Sequence, residues 1–334
     1  MVTNSDSEIK IEGIYPIKIR EKRKMSAGII INNQYILKPT ELSSERILFI
    51  HSALNHLKAN HFTDCETFIL TTEEKPFTQI EGKNYILTNL YSEPGLSFDD
   101  REDLSVAINL LAGLHIAGQG FTPHKVSGDL EKYQCPYTIK NNLGDWIFLF
   151  QKHSKELKKF KKNACGSVDS FDRAYSRIAD EYCNLAQQLT TDLEKSAYNK
   201  MVVSAKENGC LCHRDFSGHN TVKCFPRPII INFNETAIEL PVYDVANLMK
   251  KRLRKCNWSV EEAHFILNTY CKTRSISNEE LQVLKILLLF PQKLWRITNK
   301  YYNSKKSRYE KTALSKLDEI IQEQIPLKNV VHSI

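Results

Sequence analysis

The chain has 334 residues, 42% of them hydrophobic and 25% charged, with a formal net charge of +7. These values exclude a disordered or collagen-like polypeptide and leave room for one two-lobed domain or two small ones with a sizeable core. The longest apolar run, Ile286 to Phe290, is far too short to span a bilayer, and no apolar run follows a basic start, so the expectation is cytoplasmic synthesis with no membrane span. The mild basic excess fits an anionic ligand or partner and does not by itself imply nucleic acid.

In chain order, residues 1–12 are polar and read as a frayed start. From Ile14 to Lys38 the text reads as hairpins: Ile14 to Ile19, a basic patch from Arg20 to Lys24, Gly28 to Ile31, an Asn32-Asn33 turn, then Tyr35 to Lys38. Glu41 to Asn60 carries Ile47, Leu48, Ile50, Leu54 and Leu57 at helical spacing. Thr67 to Leu70 and Tyr85 to Leu90 read as strands. Tyr91 to Gly95 is a breaker cluster, where a hinge between a β-rich lobe and a helical lobe would fall.

Beyond Pro94 the pattern is helical. Asp103 to Gln119 is amphipathic, residues 120–145 are irregular with Pro123, Gly128 and Pro136 as breakers, and Trp146 opens a basic helix to Lys162. Phe171 to Leu189 carries Tyr175, Ile178, Tyr182 and Leu185 on one stripe, the signature of a core face. Near the C-terminus come helices from Leu240, near 260–271 and 279–290, and a basic tail helix from Gln292 to about Gln324. Lys250 to Lys255 is a dense basic run, read as a solvated face with a phosphate-rich partner as the minority alternative.

The chemistry concentrates between Cys210 and Asn234. His213-Arg214-Asp215, four residues, then Asn220 is the H-R-D-x-x-x-x-N spacing of a kinase catalytic loop. Asp215 is placed as the base that takes the proton of an attacking hydroxyl, Asn220 as a metal ligand and His213 as a structural member of the loop. The run Ile229 to Ile231 ends in Asn232, where kinase-like proteins carry the second metal ligand as Asp. A neutral amide is a poor replacement for a carboxylate on a hard dication. With this loop downstream, Lys38 becomes the candidate phosphate lysine, and Glu45 its candidate partner, although a solvated helix glutamate is the plainer reading. The backbone of Leu87 to Leu90 would face an adenine ring. Asp244, in the first turn of its helix, suits the helix dipole and in kinase folds also holds the catalytic loop. Gly28 is the one glycine near the expected phosphate loop, so a glycine-rich lid is not supported. Cys210-Leu211-Cys212-His213 could suggest zinc, but the nine cysteines include no C-x-x-C pair, and buried thiols with no zinc is the better reading.

Leu211 through Asn220 resembles the loop of the CotS-type spore coat proteins, a branch of the aminoglycoside/choline kinase-like superfamily. Gly144-Asp145-Trp146 through Lys162, Ser170-Phe171-Asp172 and Glu239 to Asp244 agree with it, so the resemblance runs over residues 14 to 325. It implies an α+β, bilobal protein-kinase-like fold, with a nucleotide-binding-like β-rich lobe over 1–90 and a helical lobe over 91–334. It also implies a place in the coat of the endospore, with other coat proteins as partners. Asn232 departs from the family's usual Asp and Asn234 from a second acid that often follows. Those departures favour a structural or assembly protein that keeps a kinase-like fold, with ATP and Mg²⁺ binding weak or lost. An active kinase phosphorylating a small-molecule hydroxyl is the alternative, with Glu235 as the nearby carboxylate that could replace the lost ligand. A nucleic-acid or polyanion binder using Lys250 to Lys255 and the tail helix has no aromatic recognition motif behind it.

Overall fold

Isoleucine-rich strands after Gly28 build the first sheet of this computed structural model, which describes residues 11–122, 139–303 and 306–334. Residues 1–10 of the start read as frayed, and the breakers Pro123, Gly128 and Pro136, lie outside the described residues. The chain forms two compact units, one from the residues up to Asn141 together with His213–Ile238, the other from Asn142–Cys212 and Glu239–Ile334.

The first unit carries a five-stranded antiparallel sheet in the order β1-β2-β3-β5-β4, with β1 Lys22–Met25, β2 Gly28–Ile31, β3 Tyr35–Thr40, β4 Thr78–Ile80 and β5 Lys83–Asn89. The turn at Asn32-Asn33 places both residues at φ 53°, a left-handed conformation that asparagine tolerates better than most. Gly28 sits at φ 149°, and a Cβ there would lie 2.3 Å from the Leu37 carbonyl oxygen. Its role is to let β2 and β3 approach. On β3 the register sets Leu37 opposite Leu87 and Lys38 opposite Ile86. Leu37 and Leu87 are fully buried in a cluster with Ile11, Tyr15 and Ile31. Lys38 is on the other face and lies mid-strand, because β3 runs on to Thr40.

Ile14 to Ile19 is not a strand, and β1 falls on the basic patch instead. The Asn32 side chain accepts from the N–H groups of Arg20 and Glu21 and donates to the Lys18 carbonyl at the end of this segment. Ile14, Ile17 and Ile19 pack on the cluster. Likewise Thr67 to Leu70 forms only a bridge, Phe68 to Thr88. α1, Ser44–Ala59, starts at its cap, Ser43 Oγ accepting from Arg46 N–H, three residues later than the apolar spacing suggests. α2, Arg101–Ala117, is capped by Asp100.

The segment 213–238 belongs to this unit because its backbone bonds lie here. Glu66 N–H donates to Ile230 O at 2.8 Å, Ile230 N–H to Asp64 O at 2.9 Å, and Lys223 N–H to Pro94 O at 2.9 Å.

The second unit is helical: α3 Asp145–Ala164, α4 Ser170–Lys195, α5 Tyr198–Asn208, α6 Val242–Lys255, α7 Val260–Cys271, α8 Asn278–Leu289, α9 Gln292–Asn303 and α10 Lys306–Ser333. The aromatic stripes are core, as their spacing suggests: Tyr175 is fully buried and Phe171 lies 4.0 Å from Tyr301, centroid to centroid. Trp146 opens α3 by stacking on Tyr198 at 4.9 Å and donating its indole N–H to Glu239. α5 has no strong apolar stripe and is not evident from the text. The tail read as one helix comprises α9 and α10. No helix among the described residues is long and apolar enough to cross a membrane.

Candidate functional site

The short strands β6, Thr221–Val222, and β7, Ile229–Ile230, form a hairpin that fixes both ends of the candidate site in the first unit. Asn220 is the last residue of a 3₁₀ turn, Gly218–Asn220, before β6, and Asn232 stands where β7 gives way to a second such turn, Phe233–Glu235. Two glycines hold the loop against the segment after Pro94. A Cβ on Gly95 would meet the Gly218 carbonyl oxygen at 2.2 Å, and one on Gly218 would meet the Leu96 carbonyl oxygen at 2.4 Å. Neither position can carry a side chain without moving the loop.

His213 is fully buried and ties the loop to the hairpin. Asp215 N–H donates to its Nδ1 at 3.2 Å, which leaves the ring proton on Nε2, 3.0 Å from the Ile231 carbonyl. Its ring also meets Phe233 edge-on at 4.8 Å. Asp215 is exposed at the surface of the loop, as a base must be to meet a substrate.

A chain of side-chain bonds links the three polar residues. Asn220 Nδ2 donates to Asp215 Oδ2 at 2.9 Å and to the Asp215 carbonyl at 2.7 Å. That turns Asn220 Oδ1 the other way, where Asn232 Nδ2 donates to it at 2.8 Å. The order is forced from one end, because a carboxylate only accepts. The oxygen expected to ligate a metal is thus covered by an amide N–H. Asn232 has φ 62°, in the left-handed region where Asn and Asp are both tolerated. The backbone can therefore keep its course while the charge at this position is lost.

Lys38 and Glu45 are not brought together as a pair. Glu45 lies in the first turn of α1, its carboxyl held below the usual range chiefly by the hydrogen bond with Ser43. The carboxylate under the influence of Lys38 is Glu66, a residue the sequence did not single out. It is 4% exposed, and its Oε1 accepts from Phe233 N–H at 3.1 Å. Burial pushes its carboxyl up, and Lys38 with the N–H groups of Phe233 and Asn232 draws it back. No local pattern marks it, since it sits on an irregular segment bonded to a strand far along the chain.

The turn that follows Asn232 is braced by Arg46, which donates to the carbonyls of Asn234 and Thr236. Burial pushes that guanidinium down to about 10 against the pull of Glu235. Glu235 is ion-paired with Lys140. The Leu87 carbonyl accepts from Ile69 N–H and Leu90 N–H donates to the Gln34 carbonyl, both at 2.8 Å, so these two backbone groups are already in use. Asp244 is buried in the first turn of α6, within the second unit. Cys210 and Cys212 are buried thiols there. Burial pushes Cys210 up to about 12, and Cys212 Sγ lies 3.2 Å from the Glu239 carbonyl.

A family model described as Spore coat putative kinase YutH matches residues 9–334. Spore coat protein S of Bacillus subtilis (strain 168) is 23% identical over 286 residues, which cover 82% of this chain and 76% of that protein. Among solved structures, an aminoglycoside phosphotransferase from Alicyclobacillus acidocaldarius is similar with a TM-score of 0.80 at 18% identity, covering 99% of this chain and 97% of that one. The AMP-bound spectinomycin phosphotransferase follows with a TM-score of 0.61 at 14% identity, covering 96% and 95%. A microcompartment-associated aminopropanol kinase gives 0.59 at 14% identity, covering 96% and 97%. At these identities the structural likeness shows the fold alone, and that fold is the α+β protein-kinase-like one that the family resemblance implies.

Proposed function

This chain belongs to the family described as Spore coat putative kinase YutH, and from that premise we propose that it is a coat-assembly protein built on a degenerate kinase. Its place is in the endospore coat, among other coat proteins. The observation that carries the reading is the 2.8 Å bond from Asn232 Nδ2 to Asn220 Oδ1. A carboxylate at position 232 would set two acceptors face to face and leave both for a shared cation. The amide instead satisfies Asn220 internally, so the pair has no demand for a metal.

The remaining donor set does not replace the missing charge. Asp215 is the only carboxylate in the bonded chain. Glu235 points its charge at Lys140 and Arg46. Glu66 is engaged by backbone N–H groups and lies in the field of Lys38. Magnesium is a poor fit to such a set, and in phosphoryl transfer its charge stabilisation is most of what a site contributes.

A second reading, an active kinase for a small hydroxyl compound, is favoured by the exposed Asp215 and by the electrostatic coupling of Lys38 with Glu66. One experiment separates the two. The protein is melted with and without Mg·ATP, alongside Asn232→Asp. The degenerate reading expects no shift for the natural protein and a clear one for the variant; ligand at a hundred times its dissociation constant stabilises by about 2.7 kcal/mol. A large shift in the natural protein, together with ATP turnover, overturns it.

A further inference from the structure

The basic run of α6 is not one solvated face. Arg252 is turned onto Glu262 at 2.7 Å and Leu253 is fully buried. Lys250 and Arg254, four residues apart and so on one side of the helix, instead line a cavity of about 240 Å³ within the second unit. Its wall carries six lysine and arginine side chains and one carboxylate, Glu323. That carboxylate is already engaged by Lys293 at 2.9 Å and Arg254 at 3.4 Å, and Lys328 reaches Glu181 at 3.3 Å.

Lys250 faces cations. Burial, with Arg254 on its own helix and Arg296 on α9, pushes its ammonium down to about 7. An independent feature lies on the same wall. Trp258 is 3% exposed, lines the cavity, and its indole Nε1–H has no hydrogen-bond partner. A buried N–H of this kind costs stability unless something accepts from it. An excess of positive charge along this wall, six basic side chains against one carboxylate, calls for an acceptor bearing negative charge.

We infer that this cavity binds a phosphate-class oxyanion, with Lys250, Arg254 and Arg296 supplying the charge and the Trp258 ring forming part of the wall. Leu294 and Leu327 also line it, so a small apolar body attached to the anion can be accommodated. The inference is independent of whether the loop at Asp215 is catalytic.

The test is titration of the full chain at fixed ionic strength with inorganic phosphate and with phenyl phosphate, by calorimetry and by the indole N–H resonances. The chain has three tryptophans, so Trp258→Phe assigns the relevant signal by its loss. Millimolar or tighter binding is expected, with the Trp258 resonance moving, and Lys250→Met and exposed Arg296→Ala each weakening it about tenfold. Tighter binding of phenyl phosphate assigns the site to organic monoesters; equal or tighter binding of phosphate assigns it to the free ion. Binding of neither, a Trp258 resonance that stays still, or unchanged affinity in a folded Arg296→Ala protein overturns the inference.

Discussion

The loop from His213 to Glu235 and the end of α6 from Lys250 to Trp258 both draw polar groups out of water, and they resolve the cost differently. In the loop, Asp215, Asn220 and Asn232 answer one another in sequence, His213 is bonded through both ring nitrogens, and Glu66 receives backbone N–H groups. Around α6, an ammonium faces two guanidinium groups and an indole N–H has no acceptor. The difference teaches where each region stands with respect to a ligand. A closed network gains little from an added ion, whereas an open one with an excess of positive charge is stabilised by whatever completes it.

The largest expected effect tests the closed side. His213→Ala removes a fully buried ring and leaves Asp215 N–H and the Ile231 carbonyl without their partner. A loss of about 3 kcal/mol in urea unfolding is expected. A loss under about 1 kcal/mol would mean that the loop does not depend on this brace.

A smaller effect, on the order of 1–2 kcal/mol, is expected from Glu66→Gln. The substitution keeps an acceptor for Phe233 N–H and removes the charge. Burial raises the folded carboxyl above its ordinary value of 4.5, so the folded state holds this proton more tightly than the unfolded one. Stability contributed by the protonated carboxyl is lost as pH rises past 4.5. The glutamine variant should therefore gain on the natural protein between about pH 4.5 and neutrality, as read from melting temperatures across that range. Parallel pH profiles would show that the buried charge is fully compensated.

The open side is sharpened by Lys250→Met, expected to stabilise the free protein by on the order of 1 kcal/mol. Here the folded value, about 7, lies below the ordinary value of 10.5, so the charged side chain opposes folding at low pH and the penalty fades as pH rises toward 10.5. The gain should be larger at pH 6 than at pH 10. A loss of stability at pH 6 would show that an acceptor within the chain already answers Lys250.

Elements with a strong local rule could be read directly. The helices α2, α3, α7 and α8 follow apolar spacing, and the loop motif places Asp215 and Asn220 in one turn because its spacing is itself the geometry. Glu66 could not be found that way. The bridge from Cys65 to Ile230 is a single parallel pairing between segments far apart in sequence, and nothing around residue 66 encodes it. Ile14 to Ile19 has the composition of a strand, yet it packs on the core cluster without a ladder, with Lys18 bonded by the distant side chain of Asn32. The basic run at 250–255 looks uniform in the text, yet helical rotation sends Arg252 to Glu262 and Lys250 into a cavity.

By itself, then, the sequence determined the catalytic-loop spacing and the lost carboxylate at Asn232, since each is a property of neighbours along the chain, while the fold class came from what its family resemblance implies. Only the tertiary structure decided that Asn220 is satisfied by Asn232, that Glu66 rather than Glu45 feels Lys38, and that Trp258 and Lys250 share a wall. Hydrogen-bond direction and burial depend on which distant segments meet, and residue order alone does not record that.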